Sequence, residues 1–393
     1  MSNYTVLLSE NGTVAVDDTL LVKGAEAKAG SRMLEGFKPL FSAEAVTRLE
    51  TAGYTMHSKT HVGEFGLDLV GEFSNDCKQT GALRGAAASL VADGTVKAAL
   101  AVDVNGAPRR AAMLESVSFL KPTYGTVSRY GVISTAASGE QVGVYAKTAD
   151  GIAEVMRVIA GHDGKDGTSL PAERYEYVTD APAGGKRVAV VKELLDKADD
   201  AAKANVNAYA DALRAKGVTV EEISVSLTDA AAVAWQILMT AETCNNVSRY
   251  DGVKFGHRAE NYKTIDELYV NSRTEGFNFL TKAVILYGSD VLSKTRYKAC
   301  YDKSLRVRRV AAEAMNALFA QYDAVLTPVA SVTGFEAYDI HEAFDKVFKE
   351  SVFTAIPNLV GIPALVSGGV QLMGKAFDES VLLSLAAAVE KEG

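Results

Sequence analysis

Residues 81–125 read GALRGAAASLVADGTVKAALAVDVNGAPRRAAMLESVSFLKPTYG. The stretch GAAASLVADG (85–94) has helical character and runs into VKAALAVDV (96–104), a β-rich segment without polar alternation. Pro108 has no N–H and pushes the residue before it towards an extended backbone, so it suits the first turn of a helix continuing through Arg109. A helix, a strand and a second helix in succession argue for an α/β protein.

Working outward, the same alternation recurs. VTRLETAGY (46–54) leads into YTMHS, and DALRAKG (211–217) into VTVEEISV. RVAVV (187–191) and DAVLTPV (323–329) are apolar on both faces, as strands buried on both sides require. YADALRAKG (209–217) and RRVAAEAMNALFAQY (308–322) space their apolar residues at helical steps, which predicts helices packed on that sheet. Gly, Pro and Asp gather at 162–175 and 181–187, which predicts loops there. The composition is similar on both sides of those loops and no repeat is present, so the expectation is a single domain over 1–393.

Composition removes several function classes. The chain has 393 residues, 48% hydrophobic and 23% charged, which excludes disorder, collagen and coiled coil as whole-chain readings. Forty-one basic against 49 acidic residues give a net charge of −8, which opposes general attraction to nucleic acid or anionic membrane. Cys77, Cys244 and Cys300 form no CxxC and indicate neither a disulfide framework nor a thiolate zinc site. No apolar run reaches the roughly 18 residues of a spanning helix, and MSNYTVLLSENG lacks a signal-peptide pattern, so the expected location is cytoplasmic.

Two local patterns carry weak signals. His57 and His61 are four apart with Glu64 following, but the intervening Glu of a helical zinc motif is missing and the stretch begins as a strand, so no metal is expected. The run RYKACYDKSLRVRR (296–309) is strongly basic and reads as a solvated helix face.

Residues 81–125 resemble the amidase signature family, whose members carry a GGSSGGS segment, a helix, a strand, and a DTGGS(I/V)R loop followed by GLKPTYG. The likeness extends to KGAEAKAGSRMLEGFKP (23–39), LETAGYTMHSKTHVGEF (49–65), GHDGKDGTS (161–169), NNVSRYDGVKFGHR (245–258), RTEGF (273–277) and FTAIPNLVGIPA (353–364), and points within the family to amidotransferase A subunits. The resemblance implies an amidase-signature fold: a central mixed, largely parallel sheet covered by helices on both faces. It also implies a chain shortened at its N-terminus, no cofactor, and a partner that is an amidotransferase B-type subunit or another amidase-like chain.

Family chemistry is amide hydrolysis by a lysine base, a bridging serine and a nucleophilic serine. An alcohol is a poor nucleophile until a base within hydrogen-bond reach takes its proton, so all three are needed. Aligned on the motifs, the lysine position of VAIKDN is Asp17, the bridging serine is Leu83, and the nucleophile of DTGGS is Ala107. Val104 and Asn105 replace Thr and Gly in the loop whose backbone amides form the family's oxyanion hole. The substrate end departs as well: DIFT is Ser351-Val352-Phe353-Thr354, KRRI is Lys282-Ala283-Val284-Ile285, and a tyrosine-rich stretch is Trp235-Gln236.

Asp103, Gly106, Arg109, Lys121, Pro122, Thr123, Tyr124, Gly125, Gln141 and Gly143 keep the family identities and read chiefly as scaffold. The candidate ligand-cleft residues are Asp103, Asn105, Gly106, Arg109, Gln141 and Ser351. The expectation is a binding, assembly or regulatory protein that has lost amide hydrolysis. The alternative is an active amidase or glutamine amidotransferase subunit with a relocated nucleophile, for which Cys77 is the candidate thiol.

Overall fold

The computed structural model describes residues 3–74, 78–171 and 175–390. Eleven strands form one sheet: β1 (Tyr4–Leu7), β2 (Val14–Asp17), β3 (Met56–Thr60), β4 (Ala98–Asp103), β5 (Ser118–Lys121), β6 (Gln141–Ala146), β7 (Arg187–Val191), β8 (Thr219–Ile223), β9 (Ala324–Pro328), β10 (Ala364–Ser367) and β11 (Val370–Gly374). Their order across the sheet is β1-β3-β2-β4-β6-β5-β10-β11-β9-β7-β8. β2 to β6 and β9 to β11 are buried on both faces, whereas the edge strands β1 and β8 are partly exposed. Helices cover both faces and the sheet is mixed, as the resemblance implies.

The balance of directions differs from the expectation. Parallel pairing is confined to the flanks, β3-β2-β4 on one side and β9-β7-β8 on the other, and the centre from β4 to β9 is antiparallel throughout. β4 and β5, joined by the helix Ala107–Leu114, do run the same way, but β6 lies between them and pairs antiparallel with both. β10 and β11 are joined by Gly368-Gly369 alone, both at positive φ (59° and 75°), as a two-residue hairpin turn of the primed type demands. Strands buried on both faces are uniformly apolar in either direction, which is why the sequence pattern could not separate the two cases.

Helix boundaries follow local chemistry. Asp199 accepts from Ala202 N (2.7 Å) at the start of Asp200–Ala215, and Thr148 accepts from Gly151 N (3.2 Å) at the start of Ala149–Ile159. The sequence-predicted helix over 308–322 belongs to Tyr301–Phe319, which takes up most of the basic run. Several of those basic side chains pair along the helix itself, Arg306 with Asp302 (2.8 Å) and Arg309 with Glu313 (2.9 Å). Among the described residues no helix is long and apolar enough to cross a membrane.

Candidate active site

β2 and β4 are parallel neighbours, so their C-terminal ends, Asp17 and Asp103, emerge on the same side of the sheet. The chain then turns through Asn105 and Gly106 into the helix Ala107–Leu114, with Pro108 in its first turn as predicted. Gly106 is left-handed (φ 82°), and a Cβ there would sit 2.5 Å from the Thr354 side chain, so glycine is required twice over. Ala107 is thereby brought to face the end of β2. Asp17 and Ala107, which the resemblance aligns with the family's base and nucleophile, line one cavity.

Asp17 is buried and committed to the backbone. One carboxylate oxygen accepts from Thr19 N (2.9 Å) and Thr19 Oγ1 (2.5 Å), and the other from Val102 N (2.7 Å) on β4. Burial pushes its pKa above the usual carboxylate range, against the pull of these hydrogen bonds. The Asp17 carboxyl group ties β2 to β4.

Asp17 and Ala107 line a cavity of about 40 Å³, together with His61, Asp68, Gly85, Ala87, Pro108 and Tyr145 among others. That volume is room for a few waters at most, since one water needs roughly 10–15 Å³ by this measure. Among the described residues no Ser, Thr, Cys or Lys lines it. Of the hydrogen-bonding groups there, Tyr145 Oη donates to Pro108 O (2.9 Å), and Asp68 accepts from Gly71 N (3.0 Å) and Phe73 N (2.8 Å). Burial and the neighbouring Glu72 raise the Asp68 pKa well above its ordinary value.

Leu83 is not a lining residue. The segment 81–83 pairs with 335–337 through an isolated antiparallel bridge, with Leu83 N donating to Phe335 O (2.8 Å) and Ala337 N to Gly81 O (2.7 Å), and Leu83 is buried in the hydrophobic core.

None of the six candidate cleft residues lines this cavity. Asp103 and Arg109 form a fully buried ion pair (Nε to Oδ2, 2.7 Å). Arg109 also donates to Gln371 Oε1 (2.7 Å) and to Asn358 Oδ1, while Asn358 Nδ2 donates to Asp103 Oδ1 (3.0 Å). Burial raises the Asp103 pKa, but Arg109 and Asn358 outweigh it and hold the carboxylate below its ordinary range. Gly106 N donates to Asp103 Oδ1 (2.9 Å), so this network also fixes the turn.

Gln141 bridges Gly125 N (2.9 Å) and Val127 O (2.9 Å). Ser351 is fully buried and donates to Phe348 O (2.7 Å). The Asn105 side chain is fully buried, and its backbone oxygen accepts from Arg110 (2.8 Å) and Thr354 (3.2 Å). Gln141 and Ser351 thus bond within the protein, while the Asn105 amide has no hydrogen-bond partner among the described residues.

Trp235 is fully buried against Gly139, where an added Cβ would come within 2.2 Å of the indole ring. Gln236 donates to Phe348 O (2.9 Å) and to Ser351 Oγ (3.3 Å). Sequence reasoning missed Arg110, a fully buried guanidinium that donates to the carbonyls of Leu69 and Asn105 and to Thr354 Oγ1. It also missed Asn358 and Gln371, whose bonds to Arg109 span more than 200 residues of chain and leave no local signal.

Lys59 on β3 is buried 3.0 Å from Asp18 Oδ1, and burial lowers its pKa although Asp18 opposes the shift. His57 lies within β3 and His61 just beyond it, and Glu64 bonds Ser31 Oγ (2.6 Å) and Asn278 N (2.9 Å). Among the described residues no three His, Cys, Asp or Glu side chains gather as a metal site. Cys77 lies outside the described residues.

Comparison with known proteins places this geometry. The amidase family profile matches residues 13–383. The A subunit of the glutamyl-tRNA(Gln) amidotransferase of Latilactobacillus sakei is 33% identical over 96% of this chain and 82% of its own length. That of Agathobacter rectalis is 33% identical over 96% and 80%. The crystal structure of the corresponding protein from Thermotoga maritima superposes with a TM-score of 0.81 at 26% identity, covering 100% of this chain and 88% of that one. The peptide amidase of Stenotrophomonas maltophilia shares the fold, with a TM-score of 0.78 at 23% identity over 97% and 82% of the two chains. The chain belongs to the amidase family and is similar to its amidotransferase A subunits.

Proposed function

We propose that this amidase-family chain has lost amide hydrolysis and serves as a binding, assembly or regulatory subunit. The observation that carries the reading is the composition of the small cavity: Asp17 and Ala107 stand at the base and nucleophile positions, and among the described residues no Ser, Thr, Cys or Lys lines it. A methyl group cannot accept an acyl group. Asp17 spends its oxygens on Thr19 and Val102. A cavity of about 40 Å³ is also well below the roughly 300–1,000 Å³ that ligand sites occupy. The partner on this reading is an amidotransferase B-type subunit or a second amidase-like chain, in keeping with relatives that are themselves named as subunits. The setting is cytoplasmic, without membrane or direct nucleic-acid contact.

The family likeness itself weighs the other way and supports a second reading, an active amidase or glutamine amidotransferase subunit with a relocated nucleophile. Its candidate thiol is Cys77, which lies outside the described residues.

One experiment separates the two. The purified chain is treated with a fluorophosphonate and with iodoacetamide and assayed for glutaminase and general amidase activity, beside Cys77→Ala. The first reading expects no turnover and no fluorophosphonate adduct. Turnover that Cys77→Ala abolishes establishes the second and overturns the first.

A further inference from the structure

A much larger cavity, about 570 Å³, shares no lining residue with the small one. Gly66 lines the small cavity and Tyr250 the large one, and between them Phe65 stacks on Tyr250 with ring centroids 5.7 Å apart. The large cavity has the size of a small-molecule site. Its body is apolar, built from Leu21, Met33, Phe37, Ile133, Tyr250 and Phe255 among others, with Phe255 set edge-on to Tyr250 at 5.9 Å.

Two of its lining residues carry charge, and they are of opposite sign: Glu35 and Arg249. They do not neutralise one another, and among the described residues neither has an ion-pair partner. Arg249 is nevertheless held in place. Nε donates to Asn246 O (2.8 Å) and Nη2 to Asn246 Oδ1 (3.1 Å), while the Asn246 amide is fixed on Thr135 O (2.9 Å). A guanidinium oriented through neutral acceptors keeps donors free for an incoming carboxylate. Ser134, which also lines the cavity, is already committed to Glu140 (2.5 Å).

An apolar chamber that exposes one uncompensated cation and one uncompensated anion is complementary to a ligand with an apolar body and both charges. We propose that this cavity binds a hydrophobic zwitterion, a large apolar amino acid or a short apolar peptide, with its carboxylate towards Arg249 and its ammonium towards Glu35. The site stands apart from the old catalytic position, and the proposal holds whether or not the chain hydrolyses amides.

The test is calorimetric titration of the intact chain with the dipeptide Leu-Phe, its N-acetyl derivative and its C-terminal amide. Leu-Phe is expected to bind saturably, and each capped form more weakly by up to about fivefold, the worth of one solvent-accessible charge pair. Arg249→Gln is expected to erase the preference for the free carboxylate while keeping that for the free ammonium. Glu35→Gln is expected to do the converse. Both side chains are exposed, so neither change threatens folding. Absence of saturable Leu-Phe binding overturns the proposal, as does equal affinity for the three peptides or a charge preference that survives both variants.

Discussion

Restoring a lysine at position 17 should damage the fold before it can help catalysis. In Asp17→Lys the buried N–H groups of Thr19 and Val102 lose their acceptor, as does the Thr19 hydroxyl. A buried donor left unsatisfied costs about 1–3 kcal/mol, so the two backbone amides alone amount to about 2–6 kcal/mol. The ammonium adds its own desolvation cost in a site where Asp17 is 4% exposed. Against a typical total stability of about 5–15 kcal/mol, such a loss is large. Asp17→Asn keeps one acceptor oxygen and should cost about half as much.

The assay is urea unfolding of the wild type and both variants, followed by far-UV circular dichroism and by the emission of Trp235, the single tryptophan. The expected order of midpoints is wild type, Asn, Lys. If Asp17→Lys unfolds within about 0.5 kcal/mol of the wild type, the level of an ordinary surface change, then Asp17 is not the structural tie described here.

Other outcomes follow from the same geometry. Gly106→Ala should destabilise by more than the roughly 1–2 kcal/mol of a left-handed residue, because the new Cβ also meets Thr354 at 2.5 Å; a thermal melt unchanged from wild type contradicts this. Arg109→Met should cost about 3–5 kcal/mol by stranding the buried Asp103 carboxylate, and Asp103→Asn in the same chain should recover part of it in urea unfolding. Glu64, pushed up to about 7 by burial against hydrogen bonds from Ser31, Thr281 and Asn278, stays protonated in the folded state after the unfolded chain has ionised near its ordinary 4.5. Between those two pH values the wild type should therefore lose about 3 kcal/mol relative to Glu64→Gln as pH rises, with no further change above 7, as stability measured across pH would show.

The parts of this molecule legible in the sequence are those written in local pattern. RVAVV and DAVLTPV read as buried strands because they are apolar on both faces, and they are β7 and the core of β9. Pro108 announced the start of its helix through its own missing N–H. The alignment of Asp17, Leu83 and Ala107 with the family's catalytic positions comes from the resemblance of the motifs.

What stayed hidden depends on partners distant in the chain. Leu83 lies in the core, with its backbone paired to 335–337. Trp235 packs against Gly139, and Arg109 is shared among Asp103, Asn358 and Gln371. Each retained polar residue could equally have faced a cleft or the core, and only the packed structure shows it facing the core. The antiparallel centre of the sheet was hidden for a related reason: β6 enters between β4 and β5, an insertion that neither strand's sequence records.

The most direct measurement of the central claim is ammonia release from glutamine by the chain purified through two orthogonal steps, with Ala107→Ser run in parallel. The account predicts that neither protein exceeds the buffer blank, since serine at 107 gains a hydroxyl but no lysine base or bridging serine to activate it. Sustained release by the wild-type chain that co-elutes with it through both steps contradicts the account.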